Sequence, residues 1–242
     1  MEGDPVYGAG CLVRGAKMLS HPTLRPFVIV PLTINVLIFG SLISWGLGEL
    51  VGWVNSWLNW LPEWLSFLEW ILWPLIGITI ALVTGYLFTA IALLIASPFN
   101  ALLAEKAEEL ITGRPVAGLE GLGAAFLSVP RGLFREVAKL LYYLPMAMLV
   151  LVISFIPAVN TVAPLLWFLL GAWMMSLQFV DYPMDNHQCS FKDVRLAVGD
   201  RRLSSLGFGG LVAASAGIPI LNFIVVPAAV VGATILYVEE LR

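Results

Sequence analysis

The sequence predicts an all-α integral membrane protein, with two long transmembrane helices plus two Pro/Asn-broken helical hairpins that are re-entrant, penetrating only half the bilayer. Three observations carry that expectation. First, 60% of the 242 residues are hydrophobic and 12% are charged, whereas a soluble domain carries about a quarter charged residues. So little charge cannot cover a core in water, and a mean hydropathy of +0.91 points to lipid as the solvent. Second, all 13 Lys and Arg lie at or before Arg25 or at or after Lys106. Third, the apolar residues fall into four runs, two unbroken and two interrupted in the middle.

Charge placement orients the chain. Between Arg25 and Glu105 the only charges are Glu49, Glu63 and Glu69, so the loop over 49–70 is expected outside. The positive-inside rule then puts both termini and the stretches 105–140 and 181–205 in the cytoplasm. Trp53, Trp57, Trp60, Trp64, Trp70 and Trp73 crowd the outer loop, as interfacial anchors do. Met1 to Gly10 holds two acids and no positive leader, so the first span is expected to direct insertion. A net charge of −3 offers no basic field for nucleic acid. Cys11 and Cys189 both fall on the cytoplasmic side without CxxC spacing and read as reduced thiols.

The first unbroken run supports a span over about 26–48. The second, 71–112, begins at Ile71 and continues past Pro98 as Asn100-Ala-Leu-Leu-Ala-Glu-Lys-Ala-Glu-Glu, a strong helix former. Gly113 and Pro115 are expected to stop it. The hairpins cover about 140–180 and 206–238, and all four elements form a single membrane domain, 1–242. Their breaks share the pattern I-P-x-x-N, at Ile156-Pro157 to Asn160 and Ile218-Pro219 to Asn222, with Pro164 or Pro227 following. Proline removes a donor and Asn favours a cap, so each break reads as helix, turn, helix. Arms of roughly 12 to 17 apolar residues are short for a full crossing, and charged residues bound both ends of each hairpin, which is why re-entry is expected. Four further full spans with tight outer turns would give the same topology.

Three polar clusters could carry chemistry. Ser20 to Pro26 leads into the first span, where Thr23 or Ser20 can cap the helix and Pro26 fits its first turn. Free N–H groups there, together with the Arg25 guanidinium, suit an oxyanion; contact of Arg25 with lipid phosphates is the simpler alternative. Ser97 and Asn100 stand near the cytoplasmic end of the long helix, with Glu105 and Glu109 sharing a face beyond them. These acids could pair with Arg131, Arg135 or Lys139 around a vestibule, or form a solvated surface. Asp181 to His187 is a compact polar motif, and capping beside Pro183 explains it more simply than a metal site. No metal or cofactor is expected. Neither H-E-x-x-H nor G-x-S-x-G occurs, and there is no P-loop, so neither an enzyme nor an ATPase is expected.

Taken in order, Leu24-Arg25 with Pro31 and Asn35, then Ser97-Pro98-Phe99-Asn100 to Glu105-Lys106, then Asp181-Tyr-Pro-Met-Asp-Asn-His187 with Ser190-Phe191, and Ile218-Pro219 to Asn222, resemble the CysZ family of bacterial inner-membrane sulfate permeases. The resemblance implies uptake of sulfate, or of the related sulfite, for cysteine biosynthesis, without ATP hydrolysis. It also implies lipid surroundings and a homodimer or higher homo-oligomer. The family binds sulfate at a G-L-R motif, often followed by a second Arg. The matching residues here are Thr23, Leu24 and Arg25, with Thr23 in place of the Gly and Pro26 in place of the second Arg, so the site is expected either to be weaker or to be completed by Arg14 or Lys17. Asn35, Ser97, Asn100, Glu105, Glu109, Arg131, Asn160 and Asn222 are the candidates for the pathway or its vestibule. A membrane scaffold or regulator that transports nothing is the alternative function.

Overall fold

The computed structural model describes residues 3–58, 69–116, 129–157 and 159–242, which are almost wholly helical and, among the described residues, contain no strand. The all-α expectation therefore holds. Three described stretches are long and apolar enough to cross a membrane: Gly132–Ser154, Val159–Asn186 and Leu221–Leu241. The chain divides into two compact units, one made of residues 29–96 and the other of residues 1–28 with 97–242.

The smaller unit holds most of α2 (Arg25–Leu58) and the first part of α3 (Glu69–Thr112). At 1.5 Å per residue these helices run to about 51 and 66 Å, well beyond a ~30 Å hydrocarbon core. Helix α2 continues to Leu58, so the first ten residues of the stretch expected as outer loop are helical. Trp60, Glu63 and Trp64 lie outside the described residues. Several hydroxyls here return to their own helix, Thr33 to the Ile29 carbonyl, Ser41 to Leu37, Ser56 to Gly52 and Thr79 to Leu75, at 2.7–2.8 Å. That bond is the one open to a hydroxyl with no water beside it. Pro31 sits inside α2 without ending it.

The larger unit opens with α1 (Pro5–Met18), whose N-cap Asp4 accepts the Val6 N–H at 2.8 Å and whose first turn holds Pro5. The end of α3 passes Pro98 and stops at Thr112. Gly113 then takes φ +66° and gives its N–H to the Glu109 carbonyl at 2.9 Å, the left-handed cap the sequence promised.

Next come α4 (Val129–Ser154), a 3₁₀ turn (Val159–Val162) and α5 (Ala163–Asn186). The chain ends with α6 (Phe191–Asp200), α7 (Arg202–Ala216) and α8 (Pro219–Leu236), whose last turn widens to π geometry over Tyr237–Leu241.

Both expected breaks are present. In each, the Asn N–H closes a turn on the Ile four residues earlier, Asn160 on Ile156 and Asn222 on Ile218, at 3.0 Å. Neither Asn caps the following helix, however. Val162 and Ile218 occupy the N-cap positions without a side-chain bond, because Pro164 and Pro219 take the first helical turn. Pro227 lies inside α8 and does not terminate the second break. The arms of the first hairpin are also longer than its apolar runs, 26 residues in α4 and 24 in α5, since both helices extend through their charged flanks.

Helix α1 packs on α7 and α8, and α5 packs on α7 and α8 in turn. Small residues make these approaches possible. A Cβ added at Gly8 would overlap the Ser204 carbonyl, one at Gly207 the Pro5 carbonyl, and one at Gly232 would meet the Cys11 carbonyl at 2.8 Å. Close backbone contact through small residues is how helices associate where lipid removes the hydrophobic drive. The second half of α8, from Pro227 to Tyr237, is buried on every side, whereas only 6% of the apolar stretch of α4 is buried.

Candidate functional site

The turn between α1 and α2 presents Thr23 and Arg25 outward because Leu24, wholly buried in the core between them, pins the turn. The Arg25 Nε donates to the Ser20 carbonyl at 2.8 Å, which aims the exposed guanidinium and leaves its two terminal nitrogens to other partners. The free N–H groups expected at this helix start are instead engaged locally. Leu24 and Arg25 both donate to the His21 carbonyl, Phe27 donates to Leu24, and Thr23 donates to the His21 Nδ1 at 3.3 Å. A turn wound this tightly satisfies its own donors. Ser20 turns back to cap α1 through the Lys17 carbonyl and does not cap α2.

Arg14 is not available to complete an anion site, because Glu239 holds it through two bonds of 2.5 and 2.7 Å. This pairing keeps the guanidinium above its ordinary pKa range. The Tyr7 hydroxyl joins the same carboxylate, and burial together with that bond pushes its pKa up. Lys17 remains exposed beside the turn.

The densest polar structure lies between α4 and α5. Arg135 and Lys139 stand one turn apart on α4, as Asp181 and Asp185 do on α5, so antiparallel packing brings the pairs face to face. Arg135 grips Asp181, reaches Asp185 at 3.0 Å and donates to the Cys189 carbonyl at 2.6 Å. Lys139 bonds Asp181 and Glu136, each at 2.8 Å, and Gln178 adds a bond to Glu136 at 3.1 Å. Asp181 and Lys139 are both buried.

A second seam ties this motif to the C-terminal end of α3. Asn186 donates to the Ala101 carbonyl at 3.0 Å, Asn100 donates to the Tyr182 hydroxyl at 3.4 Å, and the His187 Nε2 lies 2.9 Å from both oxygens of the buried Glu108. Arg242 completes the cluster at 3.1 Å from Glu108. Helix α5 therefore runs through Pro183 to Asn186, where capping beside the proline was expected to end it. Its last turn is held by these side chains, and Gln188 in the left-handed region then closes it.

The other expected site residues are dispersed. Glu105 and Glu109 pair with Lys106 at 3.0 and 2.8 Å, while the described ion pairs of Arg135 and Lys139 run to α5 and Glu136. Ser97, Asn160 and Asn222 are exposed, and the side chain of Arg131 lies outside the described residues. Asn35, in the smaller unit, has a buried Oδ1 with no hydrogen-bond partner. Among the described residues no three His, Cys, Asp or Glu side chains are placed to hold a metal.

Reading the sequence missed the α4–α5 lattice, although the matched i, i+4 spacing of two cations and two acids was a signal for it. It also missed the Tyr7–Arg14–Glu239 cluster, in which Glu239 lies more than 220 residues from both partners on α1.

Two of the motifs on which the family resemblance rests, Ser97 to Lys106 and Asp181 to His187, meet at the second seam. The family described as "Sulfate transporter CysZ/Etoposide-induced protein 2.4" matches residues 11–227, which include the Arg25 turn, both seams and both hairpin breaks. The chain belongs to that family.

Proposed function

We propose that this protein carries sulfate across the bacterial inner membrane into the cytoplasm for cysteine biosynthesis, by a channel-like or gradient-driven route without ATP hydrolysis. Arg25 is the observation that carries the reading. Its guanidinium stands exposed at the polar entrance of a long apolar helix, fixed by Ser20, in the position that matches the family's sulfate motif. Thr23 flanks it, and Leu24 serves as the anchor that holds the turn. A dianion cannot enter hydrocarbon without donors in place of its water, and a guanidinium fork supplies two at once.

The topology proposed with it has α2 and α3 crossing fully, both termini cytoplasmic, and the two hairpins entering from the cytoplasmic face. Ion pairs latch the charged ends of α4 and α5 together, which suits ends that share one face of the membrane. Helix α7 has 15 residues, about 22 Å, too short for a ~30 Å core. Asn35, Ser97, Asn100, Asn160 and Asn222 would line the path, with Glu105, Glu109 and Arg131 at its vestibule, in a homodimer or larger homo-oligomer.

The test is uptake of radiolabelled sulfate into liposomes holding the purified protein, at varied pH and membrane potential. Flux above empty liposomes that drops at least about tenfold in Arg25→Ala supports the proposal, since one charge-assisted bond is worth about that much. Flux unchanged in Arg25→Ala would remove the site while leaving transport. No sulfate flux from well-folded protein would favour the scaffold or regulator.

A further inference from the structure

We infer that the groove between α4 and α6 binds an anionic glycerophospholipid, with its phosphate on Lys192 and Arg195 and an acyl chain along α4. The groove is open, has a volume of about 550 Å³, and is floored by Ala138, Leu141, Pro145 and Met146. Its rim carries Lys192 and Arg195, one helical turn apart on α6, and no acid lines it.

The cations are held ready for a ligand. The Arg195 guanidinium lies over the Tyr142 ring at 4.9 Å and the Phe191 ring at 5.7 Å, and those two rings meet edge to face. This stacking fixes the fork, and among the described residues no carboxylate pairs with it and its buried Nε has no hydrogen-bond partner. The nearby acid on α6, Asp193, is tied instead to Ser190 in a capping box. An unpaired guanidinium beside a free ammonium suits a phosphodiester, and the surface below suits hydrocarbon.

Position favours a lipid over a free anion. Helix α6 is too polar to enter hydrocarbon, and it packs on α4, an apolar stretch long enough to span in which only 6% of the residues are buried. The charged rim therefore stands where headgroups lie and the floor stands where acyl chains lie. This assignment uses none of the residues proposed for sulfate.

The full-length protein in a zwitterionic detergent, examined by native mass spectrometry with phosphatidylglycerol or phosphatidylcholine of identical chains, provides the test. Retention of phosphatidylglycerol should exceed that of phosphatidylcholine. Lys192→Gln and Arg195→Gln should each reduce it about fivefold, the usual contribution of one basic residue to anionic lipid binding. Met146→Trp, which fills the floor, should reduce retention of both lipids, and exposed Lys192 guards against misfolding as the cause. Equal retention of the two lipids, or a preference unchanged in Lys192→Gln, would overturn the assignment. Displacement of phosphatidylglycerol by equimolar inorganic phosphate would show a free-anion site and would also overturn it.

Discussion

The His187 Nε2 lies 2.9 Å from both carboxylate oxygens of Glu108, joining the last turn of α5 to the C-terminal end of α3 across 79 residues of sequence. Glu108 is 1% exposed, whereas its other partner, Arg242, is half exposed. A buried acid between two partners is costly to remove in one direction only. Glu108→Ala strips both partners and leaves a void, and should destabilise by about 3 kcal/mol. Arg242→Ala leaves His187 in place and should cost about 1 kcal/mol. Thermal unfolding of the detergent-solubilised variants reads the difference, and equal losses would show that the pair is no anchor.

Asp181 faces two buried cations, so Asp181→Asn leaves Arg135 and Lys139 inside the protein with too little negative charge. A loss of about 3–5 kcal/mol is expected. Because the lattice is shielded from water, that loss should change little between low and high salt. Removing the half-exposed Arg14–Glu239 pair should cost about 1 kcal/mol or less and fade as salt rises. Unfolding midpoints at two ionic strengths separate the cases.

Gly8 and Gly10 provide a matched pair on one helix. A side chain at Gly8 would strike the Ser204 carbonyl, while one at Gly10 would meet nothing within 4 Å. Gly8→Val should prevent α1 from docking, with a loss of several kcal/mol, whereas Gly10→Val should be tolerated within about 1 kcal/mol. Protease resistance of the folded protein gives the readout, and identical behaviour of the two variants would contradict the α1–α7 contact.

Cys11 is fully buried where α1 meets Gly232 of α8, and burial pushes its thiol up to about 11. A raised acid pKa favours the neutral thiol in the folded state. The stabilisation is therefore complete below the unfolded thiol's pKa, near 9, and declines as pH rises toward 11. Maleimide at pH 8 should label half-buried Cys189 well before Cys11, and Cys11→Ser should flatten the loss of stability between pH 9 and 11. Fast labelling of Cys11 in the folded protein would rule out its burial.

These outcomes follow how much of the molecule was legible beforehand. Composition and charge were enough for an all-helical membrane protein, because lipid and the cytoplasm impose residue-by-residue preferences. The stop at Gly113 was readable for the same local reason: a helix end needs a left-handed residue. Pro183 and Pro227 misled, since a proline ends a helix only when nothing else holds the next turn, and here side chains from α3 and close packing around α8 hold it. At the candidate site, Arg25 was readable as an exposed cation at a helix entrance. The engagement of the surrounding N–H groups by His21, and of Arg14 by Glu239, was not, because both depend on how the turn and the distant C-terminal segment fold.

The docking of α1 on α7 and α8 has a consequence for synthesis. Helix α1 finds its partners only after some 180 further residues have been made, roughly 10–40 s at usual elongation rates. Throughout that interval its glycine face, shaped for backbone contact, has no backbone to meet. The nascent protein must therefore keep α1 at the membrane surface or on a chaperone until α7 and α8 arrive.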